Sequence, residues 1–174
     1  MIICISGLTG SGKTTIGEML AKELGMKHVK PTFKTVGGDG RQLVSFLRRL
    51  NPSEDRKFDR AVAAEARKGN SVVSTWLGPW MIRESSLNVW LDASLETRSR
   101  RNARSRGWTL KESTEYVEAK DKVTRAHIKS VYGIDIFKDH GVFDVQINTE
   151  RFSKEDIVAL IATLSLERGS KKFR

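Results

Sequence analysis

One stretch near the start of the chain limits what it can fold into more than any other. Residues 2–15 read Ile-Ile-Cys-Ile-Ser-Gly-Leu-Thr-Gly-Ser-Gly-Lys-Thr-Thr. Gly7, four further residues, then Gly12, Lys13 and Thr14 fit the phosphate-binding pattern G-x-x-x-x-G-K-[ST]. The flanks fit as well. Ile2, Ile3, Cys4 and Ile5 form a short apolar run, as in a strand buried on both faces. After Thr14, apolar residues recur at Ile16, Met19, Leu20 and Leu24, which is helical spacing. Glycines let backbone N–H groups close around a phosphate, and the helix that follows points its positive end at it. Gly7, Leu8, Thr9, Gly10, Ser11, Gly12, Lys13, Thr14 and Thr15 are therefore the candidate ATP-binding residues. Lys13 is expected at the β- and γ-phosphates, and the Thr14 hydroxyl at Mg²⁺. An ordinary Gly-rich turn is the plainer alternative, and the complete motif between a strand and a helix speaks against it.

The rest of the chain alternates in the same way. A weak strand is expected over residues 26–29, then a Gly-rich loop over 31–40. Helical spacing resumes over 42–50, and Asn51-Pro52 breaks it. Ser53 is the expected cap of a helix that stops at Gly69. Strands follow at 71–75, 87–91 and 143–147, with a turn at 76–79. Helices follow at 94–105, 110–131 and 153–167, leaving a frayed tail. Ser153 and Asp156 stand in capping-box spacing. Short apolar strands joined by helices imply a parallel sheet covered on both faces. The 174 residues suit one domain, with residues 31–69 as a probable acceptor-binding insertion and 98–107 as a lid region.

Composition narrows the class. No apolar run reaches the ~20 residues of a membrane span, and the N-terminal run lacks the flanks of a signal peptide. Cys4 is the one cysteine, so no intrachain disulfide can form, in keeping with a reducing, cytoplasmic compartment. The three histidines have no metal-ligand spacing. The net charge of +10 suits anionic partners without choosing among them.

A phosphate-binding loop on so short a chain points to a small-molecule kinase. Phosphoryl transfer between phosphates needs positioning and charge neutralisation more than acid–base chemistry. Residues 98–106 supply Arg98, Arg100, Arg101, Arg104 and Arg106. Arg98, Arg101 and Arg104 fall three apart on one helical face and join Lys13 as candidate catalytic residues. Two alternatives stand beside this: a solvated basic face paired with Glu112, Glu115, Glu118 and Asp121, or a nucleic-acid patch. The second is not favoured, because only Trp108 lies near and no recognised nucleic-acid motif is present.

Beyond the first motif, the chain carries Gly69-Asn-Ser-Val-Val, Leu77-Gly-Pro-Trp-Met, Trp90-Leu-Asp-Ala-Ser-Leu-Glu-Thr-Arg98, Tyr132-Gly-Ile-Asp-Ile136 and Asp144-Val-Gln-Ile-Asn-Thr149. With these, nearly the whole length resembles the archaeal type of cytidylate kinase, a branch of the nucleoside-monophosphate kinases among P-loop kinases. The resemblance implies an α/β three-layer sandwich with a five-stranded parallel sheet, an acceptor-binding insertion and an arginine-bearing lid. It implies transfer of the ATP γ-phosphate to CMP or dCMP with Mg²⁺, in a cytoplasmic monomer. It sets Arg98, Arg101 and Arg104 in the lid, and Asn148-Thr149 near the ATP base. Arg41, Asp59, Trp76 and Arg125 are the candidate acceptor contacts.

Three departures bear on the acceptor, one being the acceptor segment, which in the family runs small residue, Gly, acid, Arg and here reads Lys30-Pro-Thr-Phe-Lys-Thr-Val. The family's third strand runs into Glu-Gly-Arg-Leu, where this chain has Ser74, Thr75, Trp76 and Leu77. Two family arginines align with Lys120 and His127, and Arg125 and Lys122 lie near enough in sequence to compensate. With the usual acid replaced at Ser74, Asp39, Asp55 and Asp59 are the candidates to hold the metal's water; Asp92 reads as a helix-start residue. The open alternatives are a P-loop kinase for another small anion or alcohol, and a nucleotide-binding, RNA-associated protein with little turnover.

Overall fold

The computed structural model describes residues 1–30 and 52–171. Its strands are β1 (Ile2–Gly7), β2 (Lys27–Val29), β3 (Ser71–Ser74), β4 (Leu87–Asp92) and β5 (Val145–Asn148). They form one parallel sheet in the order β2-β3-β1-β4-β5. Its helices are α1 (Lys13–Glu23), α2 (Pro52–Ala66), α3 (Gly78–Met81), α4 (Leu95–Arg106), α5 (Leu110–Tyr132) and α6 (Lys154–Lys171). None is long and apolar enough to cross a membrane.

β1 is buried at all six positions, because both sheet faces are covered. Successive side chains of a strand alternate between faces. Ile3 and Ile5 pack with Leu20 of α1, Leu91 of β4, and Ile157 and Ile161 of α6. Cys4 packs the other way, with Val73 of β3, Ala63 and Ala66 of α2, and Ile82. Full burial of an Ile or Leu side chain contributes roughly 1.5–3 kcal/mol, so this central strand anchors the loop that leaves its end. β3 and β4 lie on either side of β1, and ligands in open α/β sheets bind beyond the strand ends where the order switches direction.

Most helix ends follow local chemistry. Ser94 accepts from Thr97 N at 3.2 Å, and Gly107 closes α4 with φ 67°. Thr109 and Glu112 cap α5 reciprocally. Ser153 and Asp156 do the same before α6. α4 and α5 lie against each other, tied by Asn102 Nδ2 donating to Ser113 Oγ at 3.0 Å.

Several boundaries differ from expectation, among them β5, which starts at Val145 rather than at 143. Ser53 lies within α2 rather than capping it, because Pro52 before it is already helical. α2 ends at Ala66, three residues before Gly69. The expected turn at 76–79 becomes α3, for Gly78 and Pro79 open a single helical turn. α6 continues to Lys171, well past the expected stop at 167. The expected helix at 42–50, along with Asp39 and Arg41, lies outside the described residues.

Candidate active site

The loop between β1 and α1 is shaped by contacts that only glycine permits. Gly10 adopts φ 82°, and a Cβ there would lie 2.7 Å from the Arg98 carbonyl oxygen. A Cβ on Gly7 would meet the Leu91 carbonyl oxygen and Ser11 Oγ, each at 2.5 Å. Ser11 N donates to Leu8 O at 3.1 Å, and Ile16 N to Gly12 O at 2.9 Å, so the turn passes directly into α1. The buried hydroxyls of Thr9 and Ser11 have no hydrogen-bond partner among the described residues. Orphaned hydroxyls at a helix N-terminus suit a phosphate.

Two arginines of α4 brace this loop. Arg98 is 5% exposed. It donates from Nη1 to Thr9 O at 3.0 Å and to Asp121 Oδ2 at 2.6 Å, and from Nε to Ala93 O at 3.2 Å. Arg101 donates to Thr149 Oγ1 and Thr149 O, both at 2.8 Å. Arg98 thus departs from the lid role: its charge is committed to Asp121 in the protein interior. Arg101 clamps the phosphate loop to the end of β5, where Thr149 was expected near the ATP base. Arg104 is exposed and has no ion pair among the described residues, so of the three it alone is free to swing. Arg100 pairs with Glu96, and Arg106 stacks on Trp108 with 4.9 Å to the ring centroid. Of the four acids considered as partners for this cluster, Asp121 pairs with Arg98.

Lys13 opens onto a cavity of about 290 Å³ walled by α2, the end of β3 and α5. This lies at the lower end of the roughly 300–1,000 Å³ usual for small-molecule sites. Lys13 Nζ donates to Leu8 O at 3.1 Å and lies 5.7 Å from the centre of the Trp76 ring. Lys120 Nζ lies 5.6 Å from the same ring. Burial, then the charge of Lys120, push the Lys13 ammonium down to about 7. Burial, then Arg106, push Lys120 down to about 8. A dianion between them would reverse both shifts.

The far wall is of opposite character. His127 Nε2 donates to Asp55 Oδ2, and Tyr132 Oη to Asp59 Oδ2. Burial raises the Asp59 carboxyl; the Tyr132 bond opposes that, and Asp55 adds to it. Asp59 and Trp76, named as candidate acceptor contacts, both line the cavity. Arg125 does not. It donates from Nε and Nη2 to Asp135 at 2.8 and 2.6 Å and, with Lys122, lines a separate groove. The reason is helical geometry: residues 120, 124, 127 and 128 share one face of α5, and 118, 122, 125 and 129 another. Lys120, Thr124 and His127 line the cavity where sequence reasoning had turned to Arg125, and their spacing was the available signal.

Ser74 stands where the resemblance implied an acid. Its hydroxyl donates to Lys13 O at 3.0 Å and lies 2.9 Å from His28 Nε2. Among the described residues no cluster of three or more His, Cys, Asp or Glu is placed to hold a metal. Thr14, exposed at the start of α1, shares the cavity wall with Ser74 and Thr75. Such hydroxyl donors fit Mg²⁺, which keeps several waters and binds chiefly through substrate phosphates. Asp55 and Asp59, considered for that role, are each engaged by a neighbour on the far wall.

Known proteins bear on this arrangement directly. The model of the Cytidylate kinase-like family matches residues 39–151. The cytidylate kinase of Pyrococcus horikoshii is 33% identical over 92% of this chain and 86% of its own length. The chain belongs to the cytidylate kinase-like family. The cytidylate kinase of Ignicoccus hospitalis is likewise 33% identical, over 95% of this chain and 99% of its own. Among solved structures, shikimate kinase from Acinetobacter baumannii aligns with TM-score 0.58 at 18% identity, covering 95% of this chain and 93% of that one. Deoxyadenosine kinase from M. mycoides aligns with TM-score 0.56 at 16% identity, covering 94% and 97%. These neighbours share the P-loop kinase fold expected from the sequence. As a member of this family, the chain is a phosphotransferase.

Proposed function

We propose that this protein transfers the γ-phosphoryl group of ATP to CMP or dCMP, giving ADP and the nucleoside diphosphate. One observation carries the reading: the phosphate-loop residues Lys13 and Thr14 form one wall of the cavity whose other walls hold Lys120, Asp59 and His127. Donor grip and acceptor chamber therefore meet at Lys13. An acceptor phosphate oxygen attacks the γ-phosphorus, the bond to the β–γ bridging oxygen breaks, and the electron pair leaves on ADP. The acceptor is already an anion, so no general base is needed.

Each protein group has a part in this. The N–H groups of residues 7–15 hold the donor phosphates, and Lys13 meets the charge that develops on the moving group. Arg98 and Arg101 fix the loop's shape by holding Thr9 and Thr149, and Arg104 closes from solvent. Lys120 and Trp76 receive the acceptor phosphate in place of arginine. Thr14 would hold Mg²⁺, which supplies charge neutralisation across the donor phosphates. Residues 31–69, including Arg41, form the acceptor-binding insertion, and 98–107 the lid region. Because a single chain supplies both ends of the cavity, the reading needs no second subunit; it places a monomer in the cytoplasm, where ATP and CMP are at hand.

The test is a screen of CMP, dCMP, AMP, UMP, GMP, shikimate and gluconate as acceptors with ATP and Mg²⁺, following ADP. CMP or dCMP should lead. ADP formed only with a non-nucleotide acceptor would replace this reading with that of another small-molecule kinase.

A further inference from the structure

A helix supplies the carbonyl of Lys13 with one partner, the N–H four residues on. β3 supplies a second: Ser74 Oγ donates to Lys13 O at 3.0 Å. Ser74 is 3% exposed and has one proton to give. Its other contact, 2.9 Å to His28 Nε2 on β2, is therefore one that it accepts. Burial, then the charge of Lys30, hold the His28 pKa below its ordinary value, with Glu18 opposing. The ring is thus neutral at neutral pH, with its single N–H on Nε2.

Gly17 points independently at the same contact. Glycine inside a helix is destabilising, yet Gly17 lies buried in the second turn of α1. A Cβ there would lie 2.1 Å from Ser74 Oγ and 2.8 Å from His28 Nε2. The bare glycine is what lets the pair from β2 and β3 reach the start of α1.

The Lys13 carbonyl shares its peptide unit with the N–H of Thr14. That unit is planar and trans, so the two groups point opposite ways. Ile16 N is the first to bond back along the helix, to Gly12 O at 2.9 Å. The N–H groups of residues 13–15 are left for the donor phosphates. A carbonyl held and polarised from β3 aims the N–H on its other side and makes it a stronger donor.

We infer that His28 is a positioning residue for the donor phosphates: through Ser74 it fixes the Lys13–Thr14 peptide and turns the Thr14 N–H onto ATP. The inference rests on the ATP-donor reading above and deepens it. The chain of bonds runs from His28 Nε2–H to Ser74 Oγ, from the Ser74 hydroxyl to the Lys13 carbonyl, and from Thr14 N–H to phosphate. Among the described residues, Ser74 walls the cavity and His28 does not, so His28 acts at one remove.

Isothermal titration of the full chain with ATP and Mg²⁺, beside thermal melts, tests this. His28→Leu and Ser74→Ala should each weaken ATP binding about 5- to 10-fold. The double variant should be no more than about twofold weaker than the worse single one, because both substitutions break one chain. His28→Gln carries an N–H₂ near the place of Nε2 and should stay within about twofold of wild type. In the ATP complex the Thr14 amide proton should move upfield in His28→Leu and return in His28→Gln, which loosened packing alone would not produce. A folded His28→Leu protein that binds ATP within about twofold of wild type overturns the inference, as do single losses that multiply in the double variant. If His28→Leu does not fold, the nitrogen-15 resonances of the wild-type ring decide: a neutral His28 with its proton on Nδ1 overturns the inference. Failure of the wild-type protein to bind ATP is a different result, which fails the donor reading and takes this inference with it.

Discussion

The two ends of the cavity are built by different rules. The donor end is one contiguous run, Gly7 to Thr15, whose working groups are backbone N–H donors and a single lysine. The acceptor end is assembled from side chains far apart in sequence: Asp55 meets His127 across 72 residues, and Asp59 meets Tyr132 across 73. The Trp76 ring lies 5.7 Å from Lys13 Nζ and 5.6 Å from Lys120 Nζ, so it touches on both ends. A backbone-built site fixes residue types at fixed offsets, and so leaves a readable motif. A side-chain-built site fixes only which faces meet, and tolerates exchange. This chain fits that contrast: the phosphate-loop pattern is complete, while Ser74 and Trp76 stand where the resemblance implied Glu and Arg.

The largest way to break this contrast is at the donor end. Lys13→Ala should lower kcat at least about 100-fold with the fold intact, because no neighbour can take over its contact with the γ-phosphate. Steady-state kinetics beside a thermal melt checks this; near-normal turnover in a folded variant would remove the donor assignment. Next comes the brace. Arg98→Ala leaves Asp121 buried and unpaired, and loss of one partner from such a pair costs about 3–5 kcal/mol. Chemical denaturation should show that loss, whereas Arg104→Ala should leave stability within about 0.5 kcal/mol of wild type and lower kcat. Equal effects of the two substitutions on stability would erase the distinction between brace and lid.

This contrast also explains what was legible in the sequence. The strand, loop and helix at the start and the alternation of strands and helices were readable because they rest on local spacing. So was the capping pair Ser153 and Asp156. Arg98 was read as a lid residue because its helical spacing matches Arg101 and Arg104. Its true partner, Asp121, sits on the next helix, where only packing of α4 on α5 could reveal it. Arg125 was favoured for nearness in sequence to an aligned position, yet near neighbours on a helix point in different directions. The end of α6 was missed because residues 168–174 were read as a frayed tail, whereas the helix continues to Lys171.

At the acceptor end the expected effects are smaller. Trp76→Arg restores a guanidinium where the family carries one, and should lower the KM for CMP by about 10-fold with the KM for ATP little changed. An unmoved CMP KM in a folded variant would mean that Trp76 does not face the acceptor phosphate. The smallest effect is one of pH. Lys13 and Lys120 titrate near 7 and 8 in the folded protein, below their value of 10.5 in the unfolded chain. Between those values the unfolded chain binds more protons, so stability should rise as pH increases from 7 to 9. Melting curves should show that rise, and Lys120→Met should flatten it. An unchanged slope in Lys120→Met would place Lys120 in solvent.

The central claim is that the phosphate loop and the α2–α5 chamber are two ends of one transfer site. A bisubstrate analogue, adenosine and cytidine joined 5′ to 5′ through five phosphates, tests it most directly by isothermal titration. Occupying both ends at once should make it bind at least about 100-fold more tightly than ATP or CMP alone, and either nucleotide should compete with it. An analogue that binds no more tightly than ATP, and that CMP fails to displace, would contradict the account.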